Sequence, residues 1–444
     1  MQIKIPEYAR KAVEMLEGNG FEAYCVGGCV RDSLLGKTPY DWDICTNALP
    51  EQMRLVFSDF RIVETGLKHG TVTVIIDRNP VEITTYRTES GYEDHRRPSS
   101  VSFITSLDGD LSRRDFTVNA MCYNPADGLV DMFGGAMDLQ CGIIRCVGDP
   151  EKRFEEDALR ILRALRFAAV LDFEIEECTK LAIFAKKQLL EYISRERIFV
   201  ELKKLLCGKN AVNVLLEFKE VIAVFIPELA ACFGFEQNNP HHIYDVWEHI
   251  CRSVGYSRPE PIIRLTMLLH DVSKPELATV DKYGINHFKK HQFRSAETAV
   301  EILKRLHCDN ASMNYIHDLI WEHDNRIPAQ ESSVKRFISK YSFEFFMDYL
   351  EVRRADTYAQ SDFLRTEKLR ELDSLAMLAI DIDDSGACLK TADLAADGND
   401  MKALGLEGRQ IGEALAAALD AVISGEISNE KDEIISFVKG LRQG

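Results

Sequence analysis

Three acidic side chains near the start of the chain are spaced for divalent-cation chemistry. Asp41 and Asp43 alternate in YDWDICT, and residues two apart on a strand point to one face. Glu82 lies in VEITTYR, on the face shared with Thr84 and Tyr86 and opposite Val81 and Ile83. Mg²⁺ prefers hard oxygen ligands and keeps part of its water, so such carboxylates suit it when phosphates complete the shell. Three acids around two ions would stabilise an attacking hydroxyl and a departing pyrophosphate together. Upstream, Gly27-Gly28 follows a short apolar run and precedes a helix expected to begin near Val30. Glycines at that kind of turn let backbone N–H groups approach phosphate oxygens. Singly, the glycines read as a tight turn and Asp41-x-Asp43 as a solvated strand end; their order along the chain carries the phosphate reading.

A second concentration of reactive groups is separate. Nine of the eleven histidines lie between His241 and His323. HHIYDVWEHI, LLHDVSKP, HFKKHQFRSAE, WEHD and RRADTYAQ carry His249, adjacent His270 and Asp271, His291, His323 and Asp356. His270 and Asp271, at the end of an apolar helix, can both reach one divalent ion, with His249 and Asp356 arriving from neighbouring helices and His291 and His323 as further ligands. A lone helical histidine is usually a core or surface residue, whereas this ordered set resembles the HD-superfamily metal phosphohydrolases. The resemblance implies a second divalent metal and a phosphodiesterase or phosphatase, with 2′,3′-cyclic phosphates at damaged RNA ends as the candidate substrate. The alternative is a structural HD fold with a vestigial site.

The elements that must position these groups change along the chain. TVTVII (71–76) and VEITTYR (81–87) alternate about the turn DRNP, which predicts a hairpin. From Glu151 the spacing is helical, beginning with the amphipathic stretch RFEEDALRILRALRFAAVL and continuing with short breaks to Gly444. The chain therefore reads as α+β, with an α/β head over 1–150, a helical neck over 151–225, a histidine-rich helical segment over 226–360 and a helical tail over 361–444.

GG-x-V-R-D, D-x-D, RRDFTVNA (113–120), EDALRILRALRF (156–167) and ISRERIFVELKKLL (193–206) together resemble the class II tRNA nucleotidyltransferase and bacterial poly(A) polymerase family. The resemblance implies a polymerase-β-like nucleotidyltransferase head and Mg²⁺-dependent addition of nucleotides to RNA. It implies Asp41 and Asp43 as the metal-binding pair, Glu82 as the third carboxylate, and Gly28 and Arg31 as triphosphate contacts. Arg114 would bind nucleotide, with Asp115 and Asn119 on sugar or turn contacts.

Asp157 and Arg160, three apart and expected on one helical face, match the positions of the family's base selectors. Cytosine and adenine share an amine donor beside a ring-nitrogen acceptor, which a carboxylate and a guanidinium complement; uracil and guanine reverse both groups. The bland reading of the two is a surface ion pair. Arg163 and Arg166 continue that face as further nucleotide contacts.

ETGLKHGTVTV (64–74), in place of a basic G-R-R-F-type segment, and SGYEDHRRPSSVSF (90–103), which resembles a flexible loop needed for the final A, favour addition of CCA to tRNA from CTP and ATP. Poly(A) synthesis, partial CC or A addition, and an HD hydrolase with a degenerate head are the alternatives, and an RNA-binding chaperone is a non-enzymatic one.

The net charge of −17 argues against a nucleic-acid partner on average, but residues 161–210 hold 10 basic against 7 acidic side chains. Lys203, Lys204 and Lys209, expected within one helical stretch, are the candidate tRNA phosphate contacts, with Arg195 and Arg197 expected to pair with Glu191, Glu196 or Glu201. MKALGLEGRQIGEALAAALDAVISGE (401–426) resembles the family's tRNA-touching tail, and DIDDSG (381–386) is expected as a solvated loop. The 12 cysteines include no C-x-x-C pair, which predicts buried thiols in a reducing cytosol. Apolar runs such as PIIRLTMLLH (261–270) are too short to span a membrane and no leader pattern opens the chain, which predicts a cytoplasmic protein.

Overall fold

The computed structural model describes residues 2–64, 66–93 and 97–441, and the side chains of residue 68 and of residues 89–101 lie outside what is described here. The chain folds as two compact units, Met1–Ala230 with Arg305–His307, and Ala231–Lys304 with Cys308–Gly444. The division into four segments expected from sequence is finer than this one.

The first unit is α+β. Its first nine strands are β1 (Ala23–Val26), β2 (Asp43–Thr46), β3 (Arg61–Val63), β4 (Thr71–Ile76), β5 (Asn79–Thr85), β6 (Arg87–Glu93), β7 (Arg97–Phe103), β8 (Met121–Asn124) and β9 (Gly128–Asp131). Seven of them form one sheet in the order β3-β4-β5-β2-β1-β8-β9. β4 and β5 form the expected hairpin, turning through Asp77 and Arg78 at φ 49° and 67°. Positive φ at both central residues is what a two-residue type I′ turn requires. Val72, Val74, Ile76, Val81 and Ile83 are fully buried, and the helix Glu7–Gly18 packs against these strands through Ala9, Ala12, Val13 and Leu16. β6 and β7 pair over part of the stretch expected to be a loop; residues 94–96 of that stretch, and Thr65 of the 64–74 signal, are outside the described residues.

Several expectations are corrected. The single helix expected from 153 to 171 is two, Pro150–Glu156 and Leu159–Leu171. Asp157 ends the first in an extended conformation (φ −138°, ψ 102°), and its side chain accepts from the Leu159 backbone N–H at 3.1 Å. This local side-chain bond competes with helix continuation, as aspartate does at caps. Lys209 lies beyond the helix Arg195–Leu206. The helix expected near Val30 already begins at Gly28, and Asp41 precedes β2 rather than lying in it. The first four residues of DIDDSG complete the helix Arg365–Asp384, with Ile382 buried. Nor is everything after Glu151 helical: Glu174–Ile175 pairs with Ile143–Ile144, and Thr279–Val280 pairs with Asn286–His287.

In the second unit, the helices Val246–Tyr256, Pro261–Leu269, His291–Arg305, Asn310–Glu322 and Phe343–Tyr358 carry the histidine-rich motifs. Asp245 caps the first of these, its carboxylate accepting from the Glu248 backbone N–H at 2.7 Å. Leu394, Ala396, Met401, Leu406, Ala418, Ile434 and Val438 make a separate apolar cluster in the tail. All twelve cysteines are unpaired. No helix among the described residues is long and apolar enough to cross a membrane.

Candidate functional site

Parallel pairing of β2 with β5 sets Asp43 directly opposite Glu82, on neighbouring strands of the sheet. Asp41 sits two residues before Asp43 and is exposed, as is Glu82, whereas Asp43 is half-buried. Burial and the charges of Asp41 and Glu82 push the Asp43 carboxyl up to about 6, against the opposing pull of Arg114. A carboxylate raised by like charges is one that a cation would relieve, so the all-oxygen donor set fits a hard divalent ion. Among the described residues, the groups whose ligand atoms all lie within 4.8 Å of one another are in the second unit.

Beside the acids, Gly27 has φ 79°, and a Cβ there would meet the Arg114 Nη1 at 3.3 Å. Gly27, more than Gly28, is therefore the position that requires glycine. Arg114 is held by Asp110, donating from Nη2 to Oδ2 at 3.1 Å, and Arg113 donates to the other oxygen at 2.7 Å. Asp110 is fully buried and was missed by sequence reading, although it lies three and four residues before the two arginines in one helical turn and cap.

A continuous polar network links the RRDFTVNA motif to the helix Leu159–Leu171. Arg31 donates to Asn119 Oδ1 at 2.7 Å, Asn119 to Asp115 Oδ1 at 3.1 Å, and Arg163 to Asp115 Oδ2 at 2.8 Å. Burial alone would raise Asp115, but the Arg163 guanidinium and the Asn119 hydrogen bond hold its carboxyl down at about 2. The guanidiniums of Arg31, Arg163 and Arg166 gather on the Phe167 ring, 5.1, 5.5 and 3.9 Å from its centroid. Phe167 was not singled out from sequence; its place directly after three arginines at helical spacing was the available signal.

The helix break separates the two expected selector residues. Asp157 is not on one helical face with Arg160, because only Arg160 belongs to the helix Leu159–Leu171. Arg160 is buried and donates to Glu156 at 2.7 Å and to the Arg113 carbonyl at 2.9 Å. Asp157 accepts from Arg197 at 3.0 Å, and Arg166 pairs with Glu201 at 2.5 Å. Arg197 therefore holds a residue of the expected selector, not the glutamates of its own helix. Lys204 and Lys209 are exposed and Lys203 lies 4.6 Å over the Phe199 ring; none makes an ion pair among the described residues.

The second unit brings all six of its expected ligands together. His249, His270, Asp271 and Asp356 form one group with ligand atoms within 4.8 Å of one another, and Asp271, His291 and His323 form another. Burial, with His270 and His291 alongside, pushes His323 down to about 3. Lys274, three residues after Asp271, was missed; its Nζ lies 2.6 Å from Asp271 Oδ2.

Three family models match the chain: the Poly A polymerase head domain over 23–145, the probable RNA and SrmB-binding site of polymerase A over 172–233, and the putative tRNA nucleotidyltransferase domain 2 over 291–438. The chain is 34% identical over 460 residues to a CCA-adding enzyme of Streptococcus thermophilus, covering 99% of this chain and 98% of that one. It is 51% identical over 217 residues to the CCA-adding enzyme of Ligilactobacillus salivarius, a match that spans only about half of either protein, 48% and 53%. Its fold is similar to the crystal structure of the Bacillus stearothermophilus CCA-adding enzyme in complex with CTP, with a TM-score of 0.75 and 28% identity over 98% of this chain and 97% of that one.

Proposed function

The chain belongs to the CCA-adding enzymes, and from that premise we propose that it adds C, C and A to the 3′ end of tRNA in the cytoplasm, using CTP and ATP and releasing pyrophosphate. The observation that carries the chemistry is the placing of Asp43 opposite Glu82 and two residues from Asp41, where burial and the two like charges raise its carboxyl to about 6. As a nucleotidyltransferase the protein is divalent-metal dependent. Asp41, Asp43 and Glu82 would hold Mg²⁺, which supplies charge neutralisation at the reacting phosphate and a more acidic terminal hydroxyl.

The chain's own residues bind and orient. The Gly28 backbone and Arg31 take the triphosphate, and Arg114, fixed by Asp110, directs positive charge towards the same turn. Asp115 and Asn119 set the sugar-side contacts, with Arg163 and Arg166 fixing that wall. Asp157 accepts from the exocyclic amine of cytosine or adenine while Arg160 donates to the ring nitrogen, so uracil and guanine meet like groups. Lys203, Lys204 and Lys209 meet tRNA phosphates.

The test is a gel of tRNA ending at its discriminator base, incubated with CTP alone, ATP alone and both. Growth by three nucleotides only with both nucleotides supports the reading. Long tails with ATP alone would make it a poly(A) polymerase, arrest after two residues a CC-adding enzyme, and no growth a degenerate head.

A further inference from the structure

The segment Leu35-Gly36-Lys37-Thr38-Pro39-Tyr40 joins the helix Gly28–Leu34 to the acids of the head. Gly36, at φ 70°, turns the chain out of that helix, and the Lys37 backbone N–H donates to the Asp32 carbonyl at 2.9 Å. A left-handed glycine with a hydrogen bond back into the last turn makes a defined helix stop. At the far end Trp42 is 4% exposed and ties the chain to the core. Pro39, whose ring fixes φ, lies between these two anchors. The turn is therefore held at both ends, and its backbone has little freedom.

Tyr40 stands out of this turn into solvent. Residues two apart on an extended chain share a face, so continuing β2 backwards would put Tyr40 beside Trp42 in the core. The chain bends at Tyr40 instead, and the residue is 99% exposed, more than any other large apolar or aromatic residue among those described. Leaving such a ring in water forgoes the burial that stabilises an aromatic side chain. Tyr40 directly precedes Asp41, which is exposed as well, so the ring is anchored one peptide unit from an acid of the candidate metal site. Lys37, also exposed, adds a cation to the same turn.

We propose that Tyr40 stacks on the base of the 3′-terminal nucleotide of the RNA and so holds the attacking end at Asp41 and Asp43. The proposal rests on the reading of the head as a site of CCA addition. The attacking hydroxyl belongs to the same ribose as that base, so the base must lie within one nucleotide of the ions that the acids hold. The incoming nucleotide has Asp157 and Arg160 for its base edge, whereas the RNA end needs a partner of a different kind. That end changes at every step, from the discriminator base to C and then to C again. Hydrogen bonds to a base edge would favour one of these ends, but the face of an aromatic ring accepts any base. A ring beside a cation is how single strands are held without sequence preference, and Lys37 supplies the cation for a neighbouring phosphate.

The test uses the full chain and a tRNA whose terminal discriminator base is 2-aminopurine, a base that loses fluorescence when an aromatic ring stacks on it. Without nucleoside triphosphate, the wild type should quench this probe on binding. Tyr40→Ala should lose most of the quench at saturating protein, and Tyr40→Phe, which keeps the ring, should restore it. Because Tyr40 is so exposed, replacing it leaves the fold intact. In steady-state addition, Tyr40→Ala should raise KM for tRNA about tenfold, alike for tRNAs ending in A, C, G or U, while kcat and KM for CTP stay within about threefold. No quench by the wild type, equal quenching by Tyr40→Ala, or a rise in KM for CTP in place of that for tRNA would overturn the contact. A quench that Tyr40→Ala loses, in a wild type that adds no nucleotide, would keep the contact and reject the proposed function.

Discussion

Arg197, in the helix Arg195–Leu206, holds Asp157 at the break between two other helices, its Nη2 lying 3.0 Å from the carboxylate Oδ2. A carboxylate that must read a base edge needs a fixed direction, and this charge-assisted bond supplies it. Asp157→Ala should therefore erase discrimination of C and A against U and G, where each lost base contact is worth about 1–3 kcal/mol. Arg197→Ala should blur the same preference more weakly and be partly rescued by Arg197→Lys. The ratio of kcat/KM among the four nucleoside triphosphates is the measurement. An equal fall for all four would reduce Asp157 and Arg197 to a structural ion pair.

If Asp41 and Asp43 hold the metal, they act on the reaction rather than on docking. Asp41→Ala and Asp43→Ala should each lower nucleotide addition by at least about 1,000-fold, the scale of losing several kcal/mol of transition-state stabilisation. Binding of tRNA in a filter or gel-shift assay should stay within a few-fold of wild type. Near-normal addition by either variant would remove the metal assignment.

The same crowding has a stability consequence. Asp43 has its folded pKa raised from 3.8 to about 6. A group raised in the folded state stabilises while protonated, and that contribution is lost as pH climbs through about 6. At neutral pH without metal the ionised carboxylate is therefore a net cost, and Asp43→Asn should stabilise the chelator-treated protein by about 2 kcal/mol. The gain should shrink to a small fraction by pH 4, where the folded carboxyl is protonated and the unfolded one is close to its own pKa of 3.8. Urea unfolding of the two chains at pH 7.5 and pH 4 measures it.

Asp115 has the opposite sign. Its folded carboxyl lies at about 2, below the usual 3.8. It stabilises the fold above pH 4 and loses that contribution as pH falls through about 2. Asp115→Asn should therefore cost about 2 kcal/mol at neutral pH, and acid titration of the wild type should show the deficit closing below pH 4.

For tRNA binding, replacing Lys203, Lys204 and Lys209 with glutamine should flatten the salt dependence, each lost phosphate contact removing roughly 0.7–0.9 of the slope. The order of C and A incorporation should not change. An unchanged slope would move the RNA to another surface, such as the tail around Lys402 and Arg409, which Arg409, at 92% side-chain exposure, leaves open.

Period-two alternation was enough to read the β4–β5 hairpin and to place Glu82 on the strand face away from Val81 and Ile83, because strand geometry is local. The ordered acids, the RRDFTVNA run and the histidine motifs were legible for the same reason: residue type and short spacing survive in a linear sequence. The partners of these groups were not. Helical spacing suggested that Asp157 and Arg160 share a face, but a side chain that accepts from Leu159 N–H breaks the helix between them, and only packing against the helix Arg195–Leu206 brings Arg197 to Asp157. Arg166, expected as a nucleotide contact, likewise has a partner that spacing did not indicate, Glu201. The six residues of the histidine cluster could be named from sequence, whereas their division into two groups sharing Asp271 could not. That division depends on where five helices end relative to one another, and interhelical packing of buried apolar faces, rather than local propensity, sets those positions.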